Sequence, residues 1–264
     1  MHFDRAEASM AMIEEPGGLT KYLEQEGKAV QTSCSLYRQE FELFCQLAEL
    51  YERLGVLAKM PRAEVSISAS SSKLFLAVMS QMYGVVSQLL RRRVVDAEAL
   101  SRRAIEATST AYRLWKNPEL SEVFDKAYPN AGDGTRPDQW RPSKEYTNKF
   151  KTGELFGEPG DVWSYLKSVY DMFSAVSSHA GPLATAFLQE RNGAVEVQFI
   201  EADNSIVRLA WNYMLDAYWE MLRVFPRILR GSANPATIAT LELELKEWKE
   251  KAVCVLKYRD EEVR

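Results

Sequence analysis

The chain has 264 residues, of which 46% are hydrophobic and 27% charged, and its formal net charge is −4. This composition is typical of a globular protein and excludes an intrinsically disordered chain, while the mildly negative charge does not indicate a nucleic-acid partner. No run of about 18 apolar residues occurs, so the sequence predicts no membrane span.

The N-terminal residues 1–18 lack a sustained hydrophobic period, and we expect a loose leader there, followed by a single helical domain over residues 19–264. The leader is too polar for a signal peptide. Three cysteines are widely spaced, which favours reduced thiols and a cytoplasmic protein over a disulfide framework. These cysteines are Cys34, Cys45 and Cys254.

The first half of the chain has the three-and-four spacing of amphipathic helices. One long helix is predicted from Leu19 to Lys59, bent near Gly27, and a second, largely apolar helix runs to about Arg92. Asp96 is expected to cap a third helix, which presents an alanine-rich face to a close neighbour.

Residues 129–160 form the most irregular stretch, because prolines and glycines interrupt it throughout. One short helix is expected near residues 143–151. A connection of this length is either functional or a solvated insertion, and the sequence leaves both interpretations open.

The second half returns to helical periodicity at Asp161, and a short helix is expected to lead to Arg191. Alternation over residues 195–201 predicts one minor strand. Asp203-Asn204-Ser205 and Asn234-Pro235 are expected to open the last two helices. The sequence therefore predicts an all-α bundle of about six long helices.

Sequence motifs for metal or cofactor chemistry do not occur. The only histidines are His2 and His179, and the cysteines never form close pairs, so no metal site is predicted. The glycine-rich phosphate and dinucleotide motifs and the nucleophile elbow are also missing, so we expect no cofactor.

Two polar groups nevertheless indicate a candidate ligand-binding site. Arg102 and Glu106 are one helical turn apart opposite the alanine face, and Tyr170, Ser174 and His179 follow at the end of a later helix. An arginine beside a carboxylate and an imidazole can bind an anion and move a proton, so Glu106 and His179 are candidate catalytic residues. The alternative for each is an ordinary surface pair or a core histidine.

An aromatic set occurs in the penultimate predicted helix. It favours a core or dimer contact over a cofactor site, because its members span more than one side of the helix. The set comprises Trp211, Tyr213, Tyr218 and Trp219.

The motif from Leu100 to Glu106, the Asn117-Pro118-Glu119-Leu120 segment and the later Tyr170, Ser174 and His179 resemble an uncharacterised bacterial all-helical family. That resemblance covers roughly residues 70–185 and implies a fold without an established activity. A more distant similarity is to HEPN domains, some of which cleave RNA through an Arg-x-x-x-x-His motif. This chain departs from that motif, since no arginine stands four to six residues before His179.

These observations leave two functional hypotheses. The first is a non-catalytic cytosolic scaffold or sensing module that acts by self-association or through a protein partner. The second is a helical enzyme or small-ligand-binding protein, conceivably one that processes nucleic acid, with a pocket built from the arginine, glutamate and histidine and closed by residues 129–160.

Overall fold

The computed structural model describes residues 18–59, 69–129, 141–177, 188–191, 194–197, 200–229 and 234–262. Seven long helices dominate this part of the chain, and the predicted all-α bundle is confirmed. The helices are α1 (Gly18–Leu36), α2 (Arg38–Lys59), α3 (Ala69–Leu90), α4 (Val94–Lys116), α5 (Leu120–Asp125), α6 (Lys144–Lys149), α7 (Thr152–Leu155), α8 (Asp161–Ser177), α9 (Asn204–Leu229) and α10 (Pro235–Glu262).

The predicted helix from residue 19 to residue 59 is two helices, which meet at Tyr37 and not at Gly27. Backbone hydrogen bonds continue across the junction, from Tyr37 N to Ser33 O and from Phe41 N to Tyr37 O, each at 2.9 Å. Tyr37 is fully buried, and its hydroxyl donates to the Asn204 carbonyl at 3.2 Å. The break therefore occurs where α2 is anchored to α9, while Gly27 lies in continuous helix.

A row of buried aromatic rings joins α2 to α9. The rings recur every seven residues on both helices, which is the spacing that keeps side chains on one seam between packed helices. On α2 and α9 they are Tyr37, Phe44, Tyr51, Trp211, Tyr218 and Phe225. Ring centroids in this row lie 4.5–6.3 Å apart, and Phe75 from α3 closes it against Phe225.

Helices α3 and α4 form a close antiparallel pair through a three-residue connection. A Cβ added at Gly84 would lie 3.0 Å from Leu100 Cδ1, so the small residue permits this approach. Arg92 turns the chain with a φ of 61°, and its guanidinium donates to the Ala202 carbonyl at 2.8 Å and to Asn204 Oδ1 at 2.7 Å. Contacts with the start of α9 thus hold a backbone conformation that is uncommon for arginine.

The predicted cap at Asp96 is wrong, because α4 already begins at Val94. Its cap residue is Arg93, whose side chain makes no capping hydrogen bond. Asp96 lies in the first turn and pairs with the Arg93 guanidinium at 2.5 Å. The carboxylate still favours the helix start electrostatically.

The caps predicted for α9 and α10 are present: Asp203 Oδ1 accepts from Ser205 N at 2.7 Å, and Asn234 Oδ1 from Ala236 N at 2.9 Å.

Within the described ranges one helix, Ser70–Leu90, is long enough and apolar enough to cross a membrane, judged by its length and composition only. Its apolar face contributes buried side chains to the core, among them Phe75, Val78, Met82 and Leu89. The core helix of a folded domain meets the same criterion, so the finding is weak evidence for a span.

Residues 141–160 contain more regular structure than expected. Residues 130–140 lie outside the described part, but α6 matches the predicted short helix and α7 adds a second. At the end of α7 the chain buries Leu155 and Phe156 in the core. The described residues 141–160 therefore pack on the bundle.

The short helix predicted to lead to Arg191 is wrong at its end, since Leu188–Arg191 is strand β1, while residues 178–187 lie outside the described part of the chain. Strand β1 pairs antiparallel with β2 (Ala194–Val197), with Gln189 opposite Glu196. The Asn-Gly sequence between the two strands favours such a pairing. The strand predicted at 195–201 is present over its first three residues and begins one residue earlier; residues 198–199 lie outside the described part of the chain. Of the expected leader, residues 1–18, the first 17 lie outside the described residues, and Gly18 is the first residue of α1.

Candidate functional site

The side of α4 that carries Arg102 and Glu106 faces α8, which runs antiparallel to α4. The direction follows from two contacts, because the Tyr112 and Trp163 ring centroids lie 4.8 Å apart and Arg102 contacts Tyr170 further along. Residues later in α8 therefore meet earlier residues of α4. The predicted site lies along this helix pair.

Arg102, Glu106 and Tyr170 converge. The Tyr170 hydroxyl donates to Glu106 Oε1 at 2.8 Å and accepts from Arg102 Nη2 at 3.2 Å. The guanidinium lies over the tyrosine ring, 5.2 Å from its centroid, and its Nε is 3.4 Å from Glu106 Oε1. The sequence left an ordinary surface pair open as the alternative, but a buried tyrosine from another helix completes a three-residue network.

The network is closed on the protein side and open toward solvent. Tyr170 is buried, whereas the Arg102 and Glu106 side chains are 30% and 35% exposed. Arg102 Nη1 and Glu106 Oε2 make no hydrogen bond or ion pair within the described part of the chain. Arg102 Nη1 and Glu106 Oε2 thus remain uncommitted, and the buried Arg102 Nε makes no hydrogen bond there either, which suits a ligand that carries both an acceptor and a donor.

The segment from α6 to the start of α8 forms the rim of this site. The Phe156 and Tyr170 ring centroids lie 5.2 Å apart. Burial raises the pKa of the Tyr146 hydroxyl, with smaller contributions from Tyr128 and from the negative charge of Glu106. The Arg113 guanidinium, further along α4, donates to the Lys149 carbonyl at 2.5 Å. This hydrogen bond therefore holds the end of α6 against α4, near the Arg102–Glu106–Tyr170 network.

Glu98 lies one turn before Arg102 on α4, and the sequence analysis did not select it. Burial raises the pKa of its carboxyl to about 7, and its buried Oε2 makes no hydrogen bond to the described protein. This burial depends on how α4 packs in the bundle, which has no signal in the local sequence. Glu98, Arg102 and Glu106 form a ridge with one ionisable group per turn.

The other two residues of the predicted site are Ser174 and His179. Ser174 lies one turn beyond Tyr170 on α8 and is half-buried, toward the level of Glu98. His179 lies outside the described residues, so its predicted role is neither supported nor opposed. The structure thus brings together Arg102, Glu106 and Tyr170.

The aromatic set on α9 divides between core and surface. Trp211 and Tyr218 are fully buried in the aromatic row, Tyr213 is exposed, and Trp219 is half-buried beside α10. The core interpretation holds for two members, while the Trp219 indole donates to the Leu245 carbonyl of α10 at 3.0 Å.

No group of three or more histidine, cysteine, aspartate or glutamate residues that could hold a metal ion occurs in the ranges given above. The three cysteines are free and exposed. Comparisons of the chain with protein-family models, curated proteins and solved structures find no match.

Proposed function

We propose that this chain is a non-catalytic, cytosolic sensing module that binds a small polar metabolite at the Arg102–Glu106–Tyr170 network. The observation that carries the proposal is the pair of uncommitted atoms, Arg102 Nη1 and Glu106 Oε2, on a network otherwise fixed by Tyr170. A preorganised guanidinium binds an oxyanion at low entropic cost. The neighbouring carboxylate selects a ligand that also carries an N–H or O–H donor.

The ligand class follows from this arrangement. It is a small carboxylate or phosphate with a hydrogen-bond donor near its oxyanion, because a lone anion would be repelled by Glu106. In this proposal ligand binding orders the network, and the module passes that change on by self-association or through a protein partner.

A thermal-shift experiment tests the proposal with citrate and adenosine monophosphate as oxyanion probes and adenosine as the uncharged counterpart. At about 100 times Kd a ligand adds about 2.7 kcal/mol, which raises the Tm by roughly 5–10 °C. We expect at least one oxyanion probe to stabilise the wild type and Arg103→Gln but not Arg102→Gln. Arg103 is the adjacent, exposed residue of α4 and gives a matched charge loss.

Failure of both oxyanion probes to stabilise the wild type would contradict the proposal. Equal stabilisation of wild type and Arg102→Gln would show that the probe binds elsewhere. Measuring each variant without ligand separates a loss of binding from a loss of fold.

A second candidate function is an enzyme with the same pocket. The observation that favours it is the Tyr170 hydroxyl, which bridges the Glu106 carboxylate and the Arg102 guanidinium at 2.8 and 3.2 Å. A phenol between a base and a cation is a geometry for proton transfer, in which Glu106 accepts the proton. If proton NMR shows a stabilising probe consumed by wild type but not by Glu106→Gln, the enzyme replaces the sensing module.

A further inference from the structure

The Arg102–Glu106–Tyr170 network holds two opposite charges next to each other. Arg102 Nε lies 3.4 Å from Glu106 Oε1, and the Tyr170 hydroxyl bridges Glu106 Oε1 and Arg102 Nη2 at 2.8 and 3.2 Å. These contacts engage Nη2 of the guanidinium and Oε1 of the carboxylate. Among the described residues Arg102 Nη1 and Glu106 Oε2 are left over, on side chains that are 30% and 35% exposed.

The two charges of this site favour a ligand that is itself a zwitterion. A purely anionic ligand is attracted by the Arg102 guanidinium but repelled by the neighbouring Glu106 carboxylate, and a purely cationic ligand meets the reverse problem. A molecule with a carboxylate and an ammonium on one carbon atom offers a charge-assisted hydrogen bond to each side chain. Its two charged groups are close neighbours, as the guanidinium and the carboxylate are in the network.

The rim next to Glu106 is aromatic. Burial raises the pKa of the Tyr146 hydroxyl, and Tyr146 also lies near enough to Glu106 for the negative charge of that carboxylate to contribute. The Tyr146 ring stacks on Phe150, with 5.0 Å between the centroids, and lies 6.2 Å from the ring of Tyr128, which is 45% exposed. A flat apolar side chain beside Glu106 therefore has aromatic surface to pack against.

We infer that the ligand of this site is an α-amino acid with an aromatic side chain. Its carboxylate binds Arg102, its ammonium binds Glu106, and its ring packs on the partly exposed rings around Tyr146. This inference rests on the proposed function and narrows its ligand class, because citrate and adenosine monophosphate offer the Glu106 carboxylate only uncharged donors.

Isothermal titration calorimetry on the full chain tests the inference with L-phenylalanine and three analogues that each lack one feature. Hydrocinnamate lacks the ammonium, phenethylamine lacks the carboxylate, and L-alanine lacks the ring. We expect L-phenylalanine to bind with a Kd below about 1 mM and at least about tenfold more tightly than each analogue, since one charge-assisted hydrogen bond or one packed ring is worth a factor of about that size.

Two substitutions examine the charges separately. Glu106→Gln should weaken the binding of L-phenylalanine about tenfold but not that of hydrocinnamate, because it removes only the partner of the ammonium. Arg102→Gln should weaken the binding of L-phenylalanine and hydrocinnamate but not that of phenethylamine. Arg103→Gln and Glu49→Gln make the same chemical changes at exposed positions and should leave all the affinities unchanged.

A third substitution examines the ring contact. Tyr146→Ala should reduce the advantage of L-phenylalanine over L-alanine, because it removes a ring on which the ligand packs, and it should leave the affinity for L-alanine unchanged. Thermal unfolding without ligand shows that the variant is folded. The comparison of the two amino acids on the wild type examines the same contact without any substitution.

The outcomes separate this inference from the proposed function. Hydrocinnamate that binds as tightly as L-phenylalanine and depends on Arg102 would overturn the inference and leave the proposed function standing. The same holds if citrate or adenosine monophosphate binds at Arg102 while L-phenylalanine does not bind. Binding of L-phenylalanine that neither Arg102→Gln nor Glu106→Gln weakens would also overturn the inference, since the amino acid then binds elsewhere. If none of these ligands binds, the inference and the proposed function both fail.

Discussion

The Glu98 carboxyl on α4 lies in surroundings that disfavour its charge. Burial raises its pKa to about 7, above the ordinary value near 4.5 that it regains on unfolding. The folded state therefore holds a proton that the unfolded state releases. Stability from this group is fully present below about pH 4.5 and is lost as the pH rises toward and through about pH 7.

Glu98→Gln should therefore stabilise the protein at about pH 8 by on the order of 1–2 kcal/mol relative to wild type, and change little at about pH 4.5. Urea unfolding at the two pH values measures the difference. Glu145→Gln makes the same chemical change on the exposed surface of α6 and should show no such gain at high pH. A Glu98→Gln protein that is destabilised equally at both pH values would contradict the prediction.

At the same scale, the sequence identified the residues of the network but not its geometry. Helical spacing placed Arg102 and Glu106 on one face of α4, and Tyr170 was selected from a helix more than 60 residues later. Their convergence depends on how α8 packs, and local periodicity carries no information on that. Glu98 was missed for the same reason, because its burial is a property of tertiary packing.

At the scale of helices, α3 and α4 approach closely where Gly84 faces Leu100. A Cβ at position 84 would lie 3.0 Å from Leu100 Cδ1, tighter than an ordinary contact. A glycine inside a helix costs about 1 kcal/mol of stability relative to alanine. At position 84 the contact of an added Cβ with Leu100 opposes the stability that alanine would otherwise add, so glycine suits this position.

A double-mutant cycle tests this balance. In a Leu100→Ala background, Gly84→Ala should stabilise the protein by roughly 1 kcal/mol, whereas in wild type the gain should be smaller or reversed. Chemical unfolding of the four proteins measures the coupling. Strictly additive effects would show that Leu100 does not limit the approach.

Helix boundaries show why sequence prediction succeeded at some elements and failed at others. Asp203 and Asn234 accept hydrogen bonds from the backbone of their own helix, so the neighbouring sequence was enough to predict where α9 and α10 begin. The start of α4 depends on Arg92, whose uncommon backbone conformation is supported by contacts with residues more than 100 positions away. The break at Tyr37 likewise depends on contacts with α9.

Across the described part of the molecule, most buried aromatic side chains belong to α2, α8 and α9, while α1 lies at the edge. Among its described side chains only Ala29 and Ser33 are buried, whereas Leu23 is 54% exposed. Helix α1 is tethered mainly by Glu26, whose carboxylate lies 3.6 Å from the Arg91 and the Arg93 guanidinium groups. Partly exposed ion pairs of this kind contribute only about 0–1 kcal/mol.

Helix α1 should therefore open locally, without unfolding of the bundle. Hydrogen exchange followed by mass spectrometry should show the α1 amides exchanging faster than those of α4, whose inner face is buried between α3, α8 and α9. Glu26→Gln should accelerate exchange in α1 by up to about fivefold, because it removes roughly 1 kcal/mol at most, and leave α4 unchanged. Lys28→Gln, an exposed change on the same helix, is the matched control. Exchange in α1 as slow as in α4, with both following global unfolding, would show that the whole bundle opens as one unit.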